Sequence, residues 1–213
     1  MISITYQLSL YNRRHRLKAQ IEPAPAHSFV KAFLQLLYCI TSNLSQNIID
    51  STNTSRAVTN ANFADSDVTH PGLSSRDSLA FQSFAWDPLD LNADQKGIMV
   101  GTGSTAVAVA DDNLVTPIAN GSSAGQFVYY GCWGLNYTTG ASSASFDIER
   151  IFRNDSGGSI VVAEIGIYAG TSMGSGSGSA GKSFCILRDV LGATVTVLNG
   201  EYLKVKYTIT VSN

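Results

Sequence analysis

The first residues of the chain alternate between apolar and polar side chains. The apolar positions are Ile2, Ile4, Tyr6, Leu8 and Leu10, and the residues between them are Ser3, Thr5, Gln7 and Ser9. Because successive side chains of a strand point to opposite faces, this period of two predicts a half-buried β-strand over residues 2–10.

A basic cluster interrupts the alternation directly afterwards. It consists of Arg13, Arg14, His15, Arg16 and Lys18. Pro23-Ala24-Pro25 follows, and prolines disfavour a regular hydrogen-bonded segment. The sequence therefore predicts a connecting link over these residues, without a core of its own.

The next apolar residues recur at helical spacing. Ser28 is suited to be the N-cap of a helix that ends near Leu44. The stripe contains Phe29, Phe33, Leu36, Leu37, Ile40 and Leu44, and Val30, Leu34 and Tyr38 widen it. A helix this apolar requires burial on two sides, so we expect it to pack on its own domain and on a partner.

Residues 45–94 show no lasting period and are rich in Asn, Ser, Thr and Asp. Loops of this length are uncommon in compact domains and are usually functional or ordered by contacts. The sequence therefore predicts two parts. Residues 1–94 form an N-terminal arm, helix and irregular connection that make assembly contacts, and residues 95–213 form the main β domain.

The second part contains a series of short apolar segments separated by turn residues. The predicted strands cover residues 97–100, 106–110, 126–130, 145–153, 159–168, 183–191, 193–198 and 201–211. Asn199-Gly200 predicts a type I′ hairpin turn between the last two strands, and the Gly/Ser-rich residues 170–181 predict a flexible loop. The fold class that follows is mainly β, an antiparallel sandwich or jelly-roll-like domain.

Composition and charge limit the range of possible functions. Charged residues make up 14% of the chain, below the roughly 25% of ordinary soluble domains, and the net charge is −2. Domains that bind nucleic acid as their main partner usually carry a clear positive excess, so this role is not expected. No segment is long and apolar enough to span a membrane, and we expect synthesis in the cytoplasm.

Two longer segments resemble virion proteins of tailed bacteriophages, of the kind found in tails or on head surfaces. They read FDIERIFRNDSGGSIVVAEIGIYAG, from residue 146, and CILRDVLGATVTVLNGEYLKVKYTITV, from residue 185. GIMVGTGSTAVAVADDNLVTPIANG and HSFVKAFLQLLY add to the resemblance. It implies a structural subunit located in the virion, with copies of itself and other virion proteins as partners.

The candidate chemical motifs have simpler structural interpretations. Gly101-Thr102-Gly103 lacks the lysine and third glycine of phosphate-binding loops, and Asp111, Asp112 and Asn113 do not have EF-hand spacing. Asp147, Glu149 and Glu164 are the candidates for the two catalytic carboxylates of a glycosidase. However, Asp147 and Glu149 lie on the same side of a single strand, which does not suit such a pair. His15, His27 and His70 share no metal or triad spacing. We assign no catalytic, cofactor-binding or metal-binding residues and expect no enzyme activity.

The chain has three cysteines, Cys39, Cys132 and Cys185, and none of them is part of a CxxC motif. They are expected to be buried thiols, and the sequence leaves open whether Cys132 and Cys185 form a disulfide.

Glu164 lies within the apolar segment SIVVAEIGIY, where a buried carboxylate needs a partner. Arg150 and Arg188, each within another apolar strand, are the candidates. The hypothesis is a structural ion pair that fixes sheet register.

The leading functional hypothesis is a non-enzymatic virion subunit that assembles through the helix residues Phe29, Phe33 and Leu37 and through the basic residues Arg13, Arg14 and Arg16. The alternative is a carbohydrate-binding or adhesin module for a host-surface glycan. Its candidate aromatic surface consists of Trp86, Tyr129, Tyr130, Trp133 and Tyr137. Tyr129 and Tyr130 are adjacent in one strand and so cannot both face the same ligand.

Overall fold

The computed structural model describes residues 2–26, 29–42, 44–58, 96–171 and 182–213. Two antiparallel sheets pack face to face as a sandwich, which confirms the predicted fold class. The elements are β1 (Ile2–Tyr11), β2 (Leu17–Pro25), α1 (Lys31–Ser42), β3 (Gln46–Ile49), β4 (Ser55–Val58), β5 (Gly97–Gly101), β6 (Val128–Thr139), β7 (Ser143–Arg153), β8 (Ile160–Thr171), β9 (Lys182–Val197) and β10 (Tyr202–Ser212).

The larger sheet has five strands in the order β2-β1-β10-β7-β6. The predicted N-terminal strand is β1, and its alternation sends one set of side chains into the core. Side chains of β1, β10 and β7 line up in five rows across this inner face. The rows are Ile2, Val211 and Ala144; Ile4, Ile209 and Phe146; Tyr6, Tyr207 and Ile148; Leu8, Val205 and Arg150; and Leu10, Leu203 and Phe152.

The smaller sheet has three strands in the order β5-β8-β9. Residues 162–170 of β8 are all buried, so both faces of this strand are covered. One face packs on the larger sheet. The long connection between β5 and β6 crosses the other face, where Leu114 and Ile118 enter the core and the Leu114 N–H donates to the Tyr168 hydroxyl at 2.8 Å.

The predicted link contains a strand. β2 pairs with β1 although it contains Pro23 and Pro25, because the missing N–H groups cost little at the edge of a sheet. Residues 2–25 therefore belong to the sandwich through β1 and β2. The predicted boundary between residues 94 and 95 stays a prediction, since residues 59–95 lie outside the described part.

The connection after the helix also contains regular structure. β3 and β4 form a hairpin at residues 46–58, which had been predicted to be irregular. The helix itself is shorter than predicted, from Lys31 to Ser42. The proposed N-cap Ser28 and the Gly/Ser-rich residues 172–181 lie outside the described residues.

Two strand predictions were wrong. Residues 106–110 are mostly exposed and form no strand, because the edge of β5 is occupied by residues 116–118 instead. The predicted strands at 183–191 and 193–198 are one strand, β9, with a change of register between Val190 and Val195.

The predicted terminal hairpin was also wrong. β9 lies in the smaller sheet and β10 in the larger one, so the turn at Asn199-Gly200 switches between sheets. Glu201 N–H donates to the Leu198 carbonyl at 3.0 Å, and of the two central residues Gly200 alone has positive φ, at 81°. This matches the φ pattern of a type II turn, whereas type I′ needs positive φ at both positions.

Candidate assembly surface

One end of the sandwich leaves apolar side chains uncovered. The first row of the larger sheet is the most exposed, with Ile2 at 67% and Val211 at 50%. Behind it lies a groove of about 570 Å³ that opens between the two sheets. The residues that line it are all apolar: Ile2, Ile4, Phe29, Phe33, Phe146, Ile148, Ile167, Ile186, Leu187, Ile209 and Val211.

The helix continues this surface. Phe33 of α1 and Phe29 were both predicted to be helix residues at an interface, but Phe29 lies just before the helix. Their ring centroids are 4.2 Å apart, and both rings line the groove. Leu37 follows one turn later and is exposed, as are Leu34 (64%) and Tyr38. The opposite side of α1, with Ala32, Leu36 and Cys39, is buried against the domain. The helix thus has one buried apolar side and one uncovered apolar side.

The backbone edges of the sheets are protected from adding further strands. In the smaller sheet, Val30 N–H donates to the Ile186 carbonyl beside β9, and Ile118 N–H donates to the Val100 carbonyl beside β5. The larger sheet ends in β2, with its two prolines, and in β6, which is kinked by a bulge where Asn136 has φ of 55°. Prolines and bulges at edges block strand addition. Contacts through side chains are therefore favoured over edge-strand pairing between copies.

The predicted basic residues lie at the opposite end of the larger sheet, in the turn between β1 and β2. Arg13 donates from Nε and Nη2 to the Asn199 carbonyl, at 3.0 and 2.8 Å. Asn12 Oδ1 accepts the backbone N–H groups of Arg14 and Arg16, at 2.9 and 3.1 Å. The structure therefore brings the three arginines together but separates them from the apolar helix surface.

The structure places Arg188, rather than Arg150, against Glu164. Arg188 Nε lies 2.9 Å from Glu164 Oε2, and both side chains are fully buried. Arg188 also pairs with Asp111 at 2.7 Å and donates to the Thr105 carbonyl at 2.8 Å. Burial lowers the pKa of Arg188, but the hydrogen bonds and charges of Glu164 and Asp111 outweigh it and raise that pKa. The arginine stays charged inside the protein.

Glu164 also holds the connection between β5 and β6. Its Oε1 accepts N–H groups of Gly103 and Thr116, at 3.1 and 2.8 Å, and its Oε2 accepts that of Val115 at 3.1 Å. A carboxylate with four donors is well solvated by the protein itself. Glu164 and Arg188 are thus a structural centre that fastens a long connection onto the smaller sheet.

Arg150 is buried elsewhere, in the fourth row of the larger sheet. Its guanidinium donates to the carbonyls of Tyr130, Lys96 and Ile98 at 2.6–2.8 Å and lies 4.9 Å from the centre of the Tyr129 ring. It joins β7 to the start of β5 and to β6. Of the two candidate partners, Arg188 and not Arg150 therefore forms the ion pair with Glu164.

The aromatic residues of the glycan hypothesis do not all lie at the surface. Tyr129 is buried and donates its hydroxyl to the Ile118 carbonyl at 2.5 Å. Tyr130, Trp133 and Tyr137 are exposed on β6, but bulges interrupt that strand between Tyr129 and Cys132 and again between Leu135 and Thr138. Trp86 lies outside the described residues.

The other candidate groups are engaged in local contacts. Asp147 and Glu149 lie near Lys206 and Lys204, at 3.8 and 3.0 Å, on the larger sheet, whereas Glu164 is in the smaller sheet. The three cysteines are free and buried, so Cys132 and Cys185 are not bridged. Within the described ranges there is no cluster of three or more metal-ligating side chains. No helix of the described part is long and apolar enough to cross a membrane.

Sequence reasoning did not find the apolar end of the larger sheet. The sequence places Ile2 on the apolar side of the first predicted strand and Ile209 and Val211 in the last one, but it does not show that these residues meet. The pairing of β1 with β10 puts the first residues beside the last ones, at an end that the second layer leaves open.

Comparisons with protein-family models, with curated proteins and with solved structures find no match to this chain.

Proposed function

We propose that this protein is a non-enzymatic structural subunit of a virus particle, a component of a phage tail, neck or capsid surface. It acts by binding copies of itself and other virion proteins. The observation that carries the proposal is the uncovered apolar surface formed by the groove, the first row of the larger sheet and the outer side of α1. The resemblance to virion proteins of tailed bacteriophages supports the same role.

The size of this surface fits a protein interface. Six of its large apolar side chains, Ile2, Phe29, Leu34, Leu37, Tyr38 and Val211, are each 38–67% exposed. At roughly 100 Å² each they present on the order of 600 Å², close to the ~800 Å² per partner of a standard interface. Isolated exposed apolar residues are ordinary on a protein surface, but a contiguous patch of this size marks a contact site.

The chemistry of the groove also favours a protein partner over a small ligand. Sites for small molecules combine apolar walls with a few polar groups that orient the ligand. The eleven residues that line this groove are all apolar. Such a groove suits the aromatic or aliphatic anchor residues of a neighbouring subunit.

The proposal is tested by native mass, measured by light scattering over a range of concentrations, with negative-stain images of the same fractions. We expect discrete rings, spikes or tubes for the natural chain. Leu34→Glu and Leu37→Glu place a charge in the contact and should shift the native mass toward the monomer. Val161→Glu, at an exposed apolar position of β8, is the matched control and should leave the assembly unchanged.

A natural chain that stays monomeric at high concentration would contradict self-assembly. Saturable binding to a glycan by that monomer, lost in Trp133→Ala, would instead favour the carbohydrate-binding alternative. Turnover of a glycoside substrate abolished by Glu164→Gln or Glu149→Gln would contradict the non-enzymatic assignment.

A further inference from the structure

The basic end of the sandwich contains a second cavity, distinct from the apolar groove. It has a volume of about 570 Å³ and lies between the β1–β2 turn and the β9–β10 turn. Its lining consists of Asn12, Arg13, Arg14, Arg16, Leu198, Asn199 and Glu201. These residues form the arginine pocket.

The walls of the arginine pocket are held in place by several contacts. Arg13 crosses Gly200, where a Cβ would overlap its side chain, and bonds the Asn199 carbonyl twice. Gly157 N–H donates to Asn199 Oδ1 at 3.0 Å, which joins the β7–β8 loop to the same turn. His15 has φ of 56° and packs its ring 4.4 Å from that of Tyr202. The turn therefore presents its arginines from a pre-formed backbone.

Two of the arginines have guanidinium groups that no other group neutralises within the described part of the chain. These are Arg14 and Arg16, whose only hydrogen bonds to Asn12 Oδ1 come from their backbone N–H groups. Glu201 does not balance them, because it is paired with Lys18 at 2.6 Å and accepts the Leu198 N–H. The pocket thus offers two planar, permanently charged donors, which is the arrangement that recognises carboxylates.

The sequence contains one segment with complementary charge. Residues 59–95 include six aspartates and one arginine, with no lysine or glutamate. The segment therefore carries a net charge of −5, while the chain as a whole carries −2 and the remainder +3. A protein that is nearly neutral overall separates its charge into an acidic segment and a basic end.

We infer that the arginine pocket binds the aspartate-rich segment, residues 59–95, of a second copy of the chain. The inference rests on the proposed function, in which copies assemble. Apolar contacts alone select orientation poorly, whereas charge pairs fix register and suppress wrong pairings. The apolar surface and the arginine pocket lie at opposite ends of the sandwich, so the two contacts act at different places on the molecule.

A synthetic peptide of residues 59–95 tests the inference directly, by fluorescence anisotropy against the full-length protein at dilute concentration. We expect saturable binding that weakens at least about tenfold between low and high salt, because exposed charge pairs are screened. Arg14→Glu and Arg16→Glu should each weaken binding about tenfold or more. Lys182→Glu makes the same change in net charge at the start of β9 and should have little effect.

A second peptide, with all six aspartates replaced by asparagine, should not bind. The inference is overturned if the natural peptide does not bind, if Arg14→Glu and Lys182→Glu weaken binding equally, or if the asparagine peptide binds as well. If residues 59–95 of the same chain already fill the arginine pocket, the peptide will not bind, and this result also overturns the inference. The measurement does not depend on assembly, so its failure is distinguishable from loss of the apolar contact, which native mass reports.

Discussion

Glu164 and Arg188 form an ion pair on adjacent strands in which both side chains are completely buried. Glu164 lies opposite Val190 and Arg188 lies opposite Gly166, so the pair is diagonal across the β8–β9 ladder. A slip of one residue would turn one partner to the other face of the sheet. The buried pair therefore makes the native register the one in which both charges are satisfied.

The first prediction concerns Glu164→Gln. Both oxygens of Glu164 accept two donors each, so either orientation of an amide would point its NH₂ group at N–H donors. Arg188 would also lose its buried countercharge. We expect the free energy of unfolding to fall by about 3 kcal/mol, as when one partner of a buried pair is removed. Urea denaturation measures it, and an unchanged midpoint would contradict the structural role.

Close packing around Glu164 gives the second prediction. A Cβ on Gly101 would lie 2.6 Å from both Glu164 Oε1 and the Thr116 carbonyl oxygen. Because the carbonyl belongs to the backbone, Gly101→Ala must displace the connection, and we expect a loss of about 2 kcal/mol or more of stability. Gly192→Ala is the control, since its Cβ would meet nothing within 4 Å. Equal thermal stabilities of the two variants would contradict this packing.

The third prediction concerns pH and the β3–β4 turn. Burial by itself raises the pKa of Asp50, but hydrogen bonds from Thr52, Arg56 and Thr54 lower it to about 2. The Asp50 carbonyl accepts a bond from Asn113 Nδ2 at 3.0 Å, so the turn is also tied to the β5–β6 connection. A lowered folded-state pKa means that the ionised carboxylate stabilises the folded protein.

This stabilisation is fully present above the ordinary pKa of about 4 and is lost as the pH falls toward 2. Asp50→Asn should therefore lower the free energy of unfolding by about 2 kcal/mol at pH 7, and the difference from the natural protein should shrink at acidic pH. Chemical denaturation at several pH values measures it. A difference that stays constant down to pH 2 would show that Asp50 acts by shape alone.

Local patterns predicted β1, β5, β7, β8 and β10, but they missed β2, β3 and β4. The alternation in residues 2–10 gave β1 because a period of two admits one face to the core. The strand β2, at residues 17–25, was not predicted, because it forms by pairing with β1 and its own sequence has no strand pattern. The exposed alanines and valines at 106–110 imitate a strand, but β5 pairs with other residues.

The sequence predicted that Glu164 is buried and offered two arginines as its partner, without deciding between them. That Glu164 required a buried cation followed from its apolar neighbours. The choice of Arg188 over Arg150 depended on sheet membership, because Arg188 is in the smaller sheet with Glu164 and Arg150 is in the larger one.

The sequence by itself determined the β class, the apolar helix and the cluster of arginines, because these depend on residues that are close along the chain. The tertiary structure alone decided that β10 leaves β9 to join β1, which separates the apolar end from the arginine pocket. Strand partners are selected by burial and hydrogen bonding between distant segments. A turn such as Asn199-Gly200 specifies a reversal of direction and leaves the choice of sheet to the packing around it.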